Sequence, residues 1–113
     1  SVRTEFFDDR HSGYSITKTG TEAVTRCFAS EYGVFGITSN MLCLGMIKTP
    51  MTAHYWDDPE FVERLKKLAP VSETILPEDV SHIVMMLCAD ECRFINGEKI
   101  HVDGGSFLWK ANV

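Results

Sequence analysis

The sequence predicts an α/β layer built on parallel strands. Three observations carry this. Two stretches, 14–32 and 77–88, place apolar residues at helical spacing; two short runs, 36–43 and 98–102, read as strands; and helical sequence intervenes between those strands, the order that produces parallel crossovers. The composition is that of an ordinary globular domain, 44% hydrophobic and 24% charged over 113 residues, with no repeat and no shift that would mark a second domain.

Residues 1–13 mix charges, two Phe and a closing Gly without a period, and are expected to form a surface loop with local anchors. From Tyr14 to Tyr32 the residues Ile16, Gly20, Ala23, Val24, Cys27 and Phe28 recur at helical spacing, and Gly33 is a plausible stop. Gly36 to Cys43 is short, partly β-branched and bounded by glycine, although Thr38, Ser39 and Asn40 are unusually polar for a buried strand. Gly45 and Pro50 punctuate 44–52, which is expected to be a loop. Asp57-Asp58-Pro59 opens a short amphipathic helix carrying Phe61, Val62, Leu65 and Leu68 and ending before Pro70. Pro77-Glu78-Asp79 opens another, whose stripe Val80, Ile83, Val84, Leu87 and Cys88 is expected to face a core. Asn96-Gly97 marks a turn, 98–102 alternates polar and apolar, and Asp103-Gly104-Gly105 ends the strand. Two strands are too few to cover these helix faces, so the chain is expected to be less than a complete folding unit.

A formal charge of −5 with no basic patch argues against nucleic acid and anionic lipid as partners. No apolar run nears the length of about 20 residues that spans a bilayer, and no basic-then-apolar leader opens the chain, so a cytoplasmic location is expected. Cys27, Cys43, Cys88 and Cys92 form no Cys-x-x-Cys pair and are expected to be reduced, mostly as small core residues. His11, His54, His82 and His101 share no ligand spacing, and no metal site is expected.

Tyr14 and Lys18 stand four residues apart, one turn of helix and about 40° around its axis. A free phenol titrates near 10 and is a poor base at neutral pH. An ammonium at about 5 Å in an effective dielectric near 20 contributes roughly 3 kcal/mol toward a phenolate, close to what general acid/base work requires. The same spacing also suits a tyrosine and a lysine on a solvated face, so the pair alone decides nothing.

Its company is more specific. Ser1 stands thirteen residues before Tyr14; Asn40-Met-Leu-Cys-Leu-Gly45-Met-Ile-Lys-Thr49-Pro-Met51 follows the first strand; and Asn96-Gly-Glu-Lys-Ile-His-Val-Asp-Gly-Gly105 comes last. In this order and at these intervals the motifs resemble the C-terminal half of a short-chain dehydrogenase/reductase, from Ser1 to about Phe107. The resemblance implies a fold that is the C-terminal portion of a Rossmann-like doubly wound parallel sheet, incomplete without an N-terminal half. That half would bring the glycine-rich phosphate loop, of which residues 1–113 hold no copy. The whole of 1–113 is then the catalytic half of one NAD(P)-binding domain in a protein of about 250 residues.

The implied activity is hydride transfer between a nicotinamide cofactor and a secondary alcohol or ketone. Tyr14 would be the acid/base, Lys18 its electrostatic partner and a donor to the nicotinamide ribose, and Ser1 the hydroxyl holding the substrate oxygen. Leu44, Gly45, Ile47 and Thr49, with Tyr14 and Lys18, would line the cofactor; Leu44 departs from the family's usual Pro, leaving that backbone less pre-set. The cofactor is NAD or NADP, the choice being made by a residue in the other half. Met51, His54, Tyr55, Trp56 and Phe61 lie where the family covers its substrate, though ordinary packing explains them nearly as well. Phe6 and Phe7 would line the pocket or anchor their loop. The implied partners are a small alcohol or carbonyl substrate, the N-terminal half, and further copies of the chain in a homodimer or homotetramer, the Tyr14 helix packing on its copy and Phe107 and Trp109 either meeting a neighbouring subunit or capping their own core. Two alternatives stay open: an epimerase or dehydratase using the same Tyr and Lys, and a non-catalytic oligomerisation or regulatory module.

Overall fold

The computed structural model describes residues 11–106 and 108. In chain order the regular elements are α1 (Ser12–Tyr32), β1 (Met41–Leu44), α2 (Ala53–Trp56), α3 (Pro59–Leu68), α4 (Pro77–Leu87) and β2 (Lys99–Val102), with single 3₁₀ turns at Gly33–Phe35, Pro50–Thr52 and Asp90–Cys92. β1 and β2 pair in parallel, Met41 opposite Lys99 through Leu44 opposite Val102, so α2 to α4 form the crossover between them.

The α1 helix begins two residues before Tyr14, so residues 12 and 13 belong to it and not to the preceding loop. Its buried residues are Ser15, Thr25 and Ala29, and Lys18 and Glu22 are half-buried on the same stripe. The apolar residues that set its period face the other way: Ile16 is 69% exposed, and Val24 and Phe28 are about half exposed. Small side chains let the helix approach β1 closely, and Thr25 satisfies its buried hydroxyl on the Thr21 carbonyl at 2.9 Å. Glu22 joins the helix to the sheet, accepting from Lys99 Nζ at 2.8 Å while Arg26 lies at 3.0 Å.

The first strand is shorter and later than its composition predicts. Gly36 takes a left-handed conformation, φ 76°, at the end of the 3₁₀ turn, and 37–40 run outside the ladder. Two asparagines account for this by taking over the backbone pairing there. Asn96 Oδ1 accepts from Ser39 N–H at 2.9 Å, and its amide donates to the Ala29 carbonyl at 3.0 Å, tying the end of α1 to the foot of the sheet. Asn40 donates to Ile95 O at 2.8 Å and accepts from Glu98 N–H at 3.1 Å. Gly97 N–H closes the set on Ser39 O at 2.7 Å.

The crossover helices start on physical signals. Asp58 Oδ1 accepts from Glu60 N–H at 2.9 Å to cap α3. Asp79 accepts from Leu76 N–H at 2.8 Å at the start of α4. Along α4, Val80, Ile83 and Leu87 are half-buried, but Val84, Met85 and Met86 are exposed and so is Cys88, so the stripe faces a core along only part of its width. Of the cysteines only Cys43 is buried; Cys27 and Cys88 are exposed and Cys92 intermediate, which corrects their reading as core residues. Among the described residues the buried apolar side chains are Ala29, Met41 and Cys43, all at the contact of α1 with the sheet or within it.

Candidate active site

Tyr14 sits in the first turn of α1 and Lys18 one turn on, on the side of the helix that meets the sheet. The Lys18 ammonium lies 5.3 Å from the centre of the Tyr14 ring, and Tyr14 is 47% exposed. Its ring lines a cavity of about 510 Å3 together with Leu44, Gly45 and Met46, the residues that leave β1. Sequence spacing alone anticipated this juxtaposition, because one helical turn fixes it.

Gly45 extends the strand pairing, donating to Val102 O at 3.0 Å. A Cβ at this position would stand 3.0 Å from both Cα and Cβ of Asp103, tighter than an ordinary contact, so glycine lets the two segments come this near. Ile47 forms an isolated parallel bridge with Ile75, Lys48 N–H donating to Ile75 O at 3.0 Å. The expected loop then tightens into the Pro50–Thr52 turn and α2, held by one hydroxyl that sequence reasoning passed over. Thr52 Oγ1 donates to the Ile47 carbonyl at 2.8 Å and accepts from Thr49 N–H at 2.9 Å and from Trp56 Nε1 at 3.1 Å. Thr49 Oγ1 lies 3.2 Å from the same oxygen.

The structure therefore brings Tyr14, Leu44 and Gly45 together at the cavity, with Lys18 beside Tyr14 but not among the lining residues. Ile47 and Thr49 continue the same loop but do not line the cavity. Ser1 lies outside the described residues, as do Phe6, Phe7, Phe107 and Trp109. Ser15, beside Tyr14, is 1% exposed, and its hydroxyl has no hydrogen-bond partner among the described residues.

Asp103 is a second residue whose role sequence did not reveal. It is 6% exposed; Oδ1 accepts from Gly105 N–H at 2.9 Å and Oδ2 from Ser106 Oγ at 2.8 Å. Gly104 has φ 65° and accepts from Val71 N–H at 3.0 Å, so close that a Cβ would meet the Val71 carbonyl oxygen at 2.5 Å. The Asp-Gly-Gly turn thus fastens the segment after α3 to the end of β2 and makes it a wall of the cavity. The remaining wall comes from α2 and α3. Of the five residues expected there, Trp56 lines the cavity, whereas Met51 is 86% exposed and His54, Tyr55 and Phe61 pack among themselves. Tyr55 stacks on Phe61 at 4.9 Å, and Phe61 meets Trp56 edge-on at 6.2 Å. Lys66, also on the wall, is bonded to Glu63 at 2.8 Å, and that bond and the ammonium's charge hold the exposed Glu63 carboxyl below its ordinary range.

Among the described residues no group of three or more His, Cys, Asp or Glu could hold a metal ion, and no helix is long and apolar enough to cross a membrane.

Parallel strands with a helical crossover, a Tyr/Lys pair at the cavity and the Asp-Gly-Gly closure describe one family. A family model described as enoyl-(acyl carrier protein) reductase matches residues 1–106, and the chain belongs to the short-chain dehydrogenase/reductase family. It is 37% identical over 94 residues to short-chain dehydrogenase/reductase eriH of Hericium erinaceus, a match covering 83% of this chain and 37% of that one. It is 35% identical over 94 residues to the 3-oxoacyl-(acyl-carrier-protein) reductase FabG of Aquifex aeolicus, with 83% and 37% covered. Among solved structures, 4-hydroxyisoleucine dehydrogenase complexed with NADH superposes with a TM-score of 0.91 at 26% identity, covering 97% of this chain and 45% of that one. The chain thus spans less than half the length of these relatives, and its fold is the C-terminal portion of a Rossmann-like doubly wound parallel sheet.

Proposed function

We propose that residues 1–113 are the C-terminal catalytic half of an NAD- or NADP-dependent oxidoreductase that interconverts a secondary alcohol and a ketone. The observation that supports this most is the Lys18 ammonium 5.3 Å from the ring of Tyr14, which shares a cavity wall with Gly45. When bound, the nicotinamide supplies or accepts the hydride. In the reductive direction the Tyr14 hydroxyl gives its proton to the substrate oxygen as negative charge develops there; in the oxidative direction the phenolate takes it back. Lys18 stabilises the phenolate electrostatically and donates to the cofactor ribose, and Ser1 orients the substrate oxygen beside Tyr14.

The chain offers suitable groups for the nicotinamide end. Gly45 brings the backbone close, and Ile47 N–H has no acceptor among the described residues, which leaves a donor for a carboxamide. Thr49 follows on the same loop. Leu44 precedes Gly45 where the family places Pro, and the Thr52 hydroxyl fixes the loop from its other end. The phosphate-binding part and the determinant of NAD against NADP belong to the N-terminal half. Association of copies through the outward apolar face of α1 and a cytoplasmic location complete the proposal.

The test uses the protein with both halves present, supplied with NADH or NADPH and a panel of ketones. Carbonyl-dependent loss of the reduced-nicotinamide absorbance is expected with at least one cofactor. Failure of both cofactors to bind a folded protein contradicts the proposal.

A further inference from the structure

Resting on that reading of Tyr14, we infer that the substrate carries an apolar body, an alkyl or alicyclic carbonyl compound rather than a polyhydroxylated one. The cavity, about 510 Å3, has the size of a site for a small organic molecule. The face of α3 turned toward it presents Val62, Leu65 and Leu68 at spacings of three; Trp56 adds its ring from α2, and Leu44 and Met46 line the side that carries Tyr14. Of the polar groups on the wall, those of α2, α3 and the Asp-Gly-Gly turn are engaged within the chain, while His11, Ser72, Glu73 and Thr74 line the cavity from the start of α1 and the segment after α3. Trp56 Nε1 donates to Thr52, both Asp103 oxygens accept from their own turn, and Lys66 is bonded to Glu63. A substrate carbonyl at the Tyr14 hydroxyl would therefore extend its remaining atoms over hydrocarbon. A hydroxyl on atoms that lie over Val62, Leu65 and Leu68 would leave water without gaining a partner, and each methylene there would gain from burial.

With both halves of the protein present and cofactor saturating, kcat/KM is compared across linear 2-alkanones of increasing length, cyclic ketones and a polyhydroxylated ketone of matched size. Each added methylene is expected to raise kcat/KM up to about fourfold until the cavity fills. The polyhydroxylated compound is expected to fall about a hundredfold or more below its apolar match. Leu65→Asn should narrow that gap and Leu65→Met should keep it. A flat alkanone series, or preference for the polyhydroxylated ketone with turnover intact, overturns the inference while leaving the hydride-transfer reading in place. Absence of turnover with every ketone contradicts that reading instead. In that event binding of the same compounds, followed by tryptophan fluorescence, still decides the inference: tighter binding of apolar ketones supports it, and equal or weaker binding overturns it.

Discussion

A methyl group on Gly45 would press on the Asp103 backbone at 3.0 Å, where neither partner is a flexible side-chain end. Gly45→Ala is expected to destabilise the protein by about 1–3 kcal/mol, read from denaturant midpoints, because the overpacking falls between two backbones. An unchanged midpoint would mean that the two segments separate easily. In the sequence this glycine answers to cofactor approach, and the structure adds a demand from within the fold. Tyr14 and Lys18 were legible because their relation is set by helix geometry alone. Thr52, Asp103 and Ser15 were not, since their importance depends on what the chain brings near them from tens of residues away or from the next turn. The two asparagines fall between these cases: Asn40 stands out as a polar residue in an expected strand and Asn96-Gly97 as a turn, yet the reach of Asn96 to Ala29 could not be read from local sequence.

Between Leu44 and α3 the element that matters is a loop organised around one hydroxyl. Thr52→Val keeps the shape of the side chain and removes the partner of the Thr49 amide, the Ile47 carbonyl and the Trp56 indole together. The expected cost is about 1–3 kcal/mol from the groups left unpaired, with an altered tryptophan emission, and Thr52→Ser should restore both. Equal denaturation midpoints for the Thr52→Val variant and the parent protein would show that these bonds exchange for water without penalty. Helix positions were legible from period and capping residues, as Asp58 and Pro59 illustrate at α3. Which face of α1 meets the sheet was not. Periodicity registers where apolar residues lie, and in α1 they lie opposite the small, partly polar stripe that packs on β1. The start of the first strand was not legible either, because side-chain amides, invisible to propensity, take up the backbone amides of Ser39 and Glu98.

At the scale of the molecule, the described residues form a two-stranded sheet carrying helical segments whose apolar faces remain largely open among them, Phe28 and Val34 in one region and Val84 to Met86 in another. Burial this sparse does not offset the entropy of ordering the chain. Residues 1–113 alone are therefore expected to show no cooperative thermal transition, by calorimetry or circular dichroism, until the complementary half is supplied. A sharp melt of the isolated chain would contradict this and favour a self-sufficient module. The exposed faces made incompleteness legible in the sequence, because two strands could not account for so many apolar helix positions. In the proposed reaction Tyr14, supported by Lys18, moves the proton as hydride is transferred. This role is tested most directly by Tyr14→Phe in the protein with both halves, measuring turnover and cofactor binding in the same preparation. kcat is expected to fall by about 10²–10⁴ while the cofactor Kd changes by no more than a few-fold. Near wild-type turnover in the folded variant would contradict it.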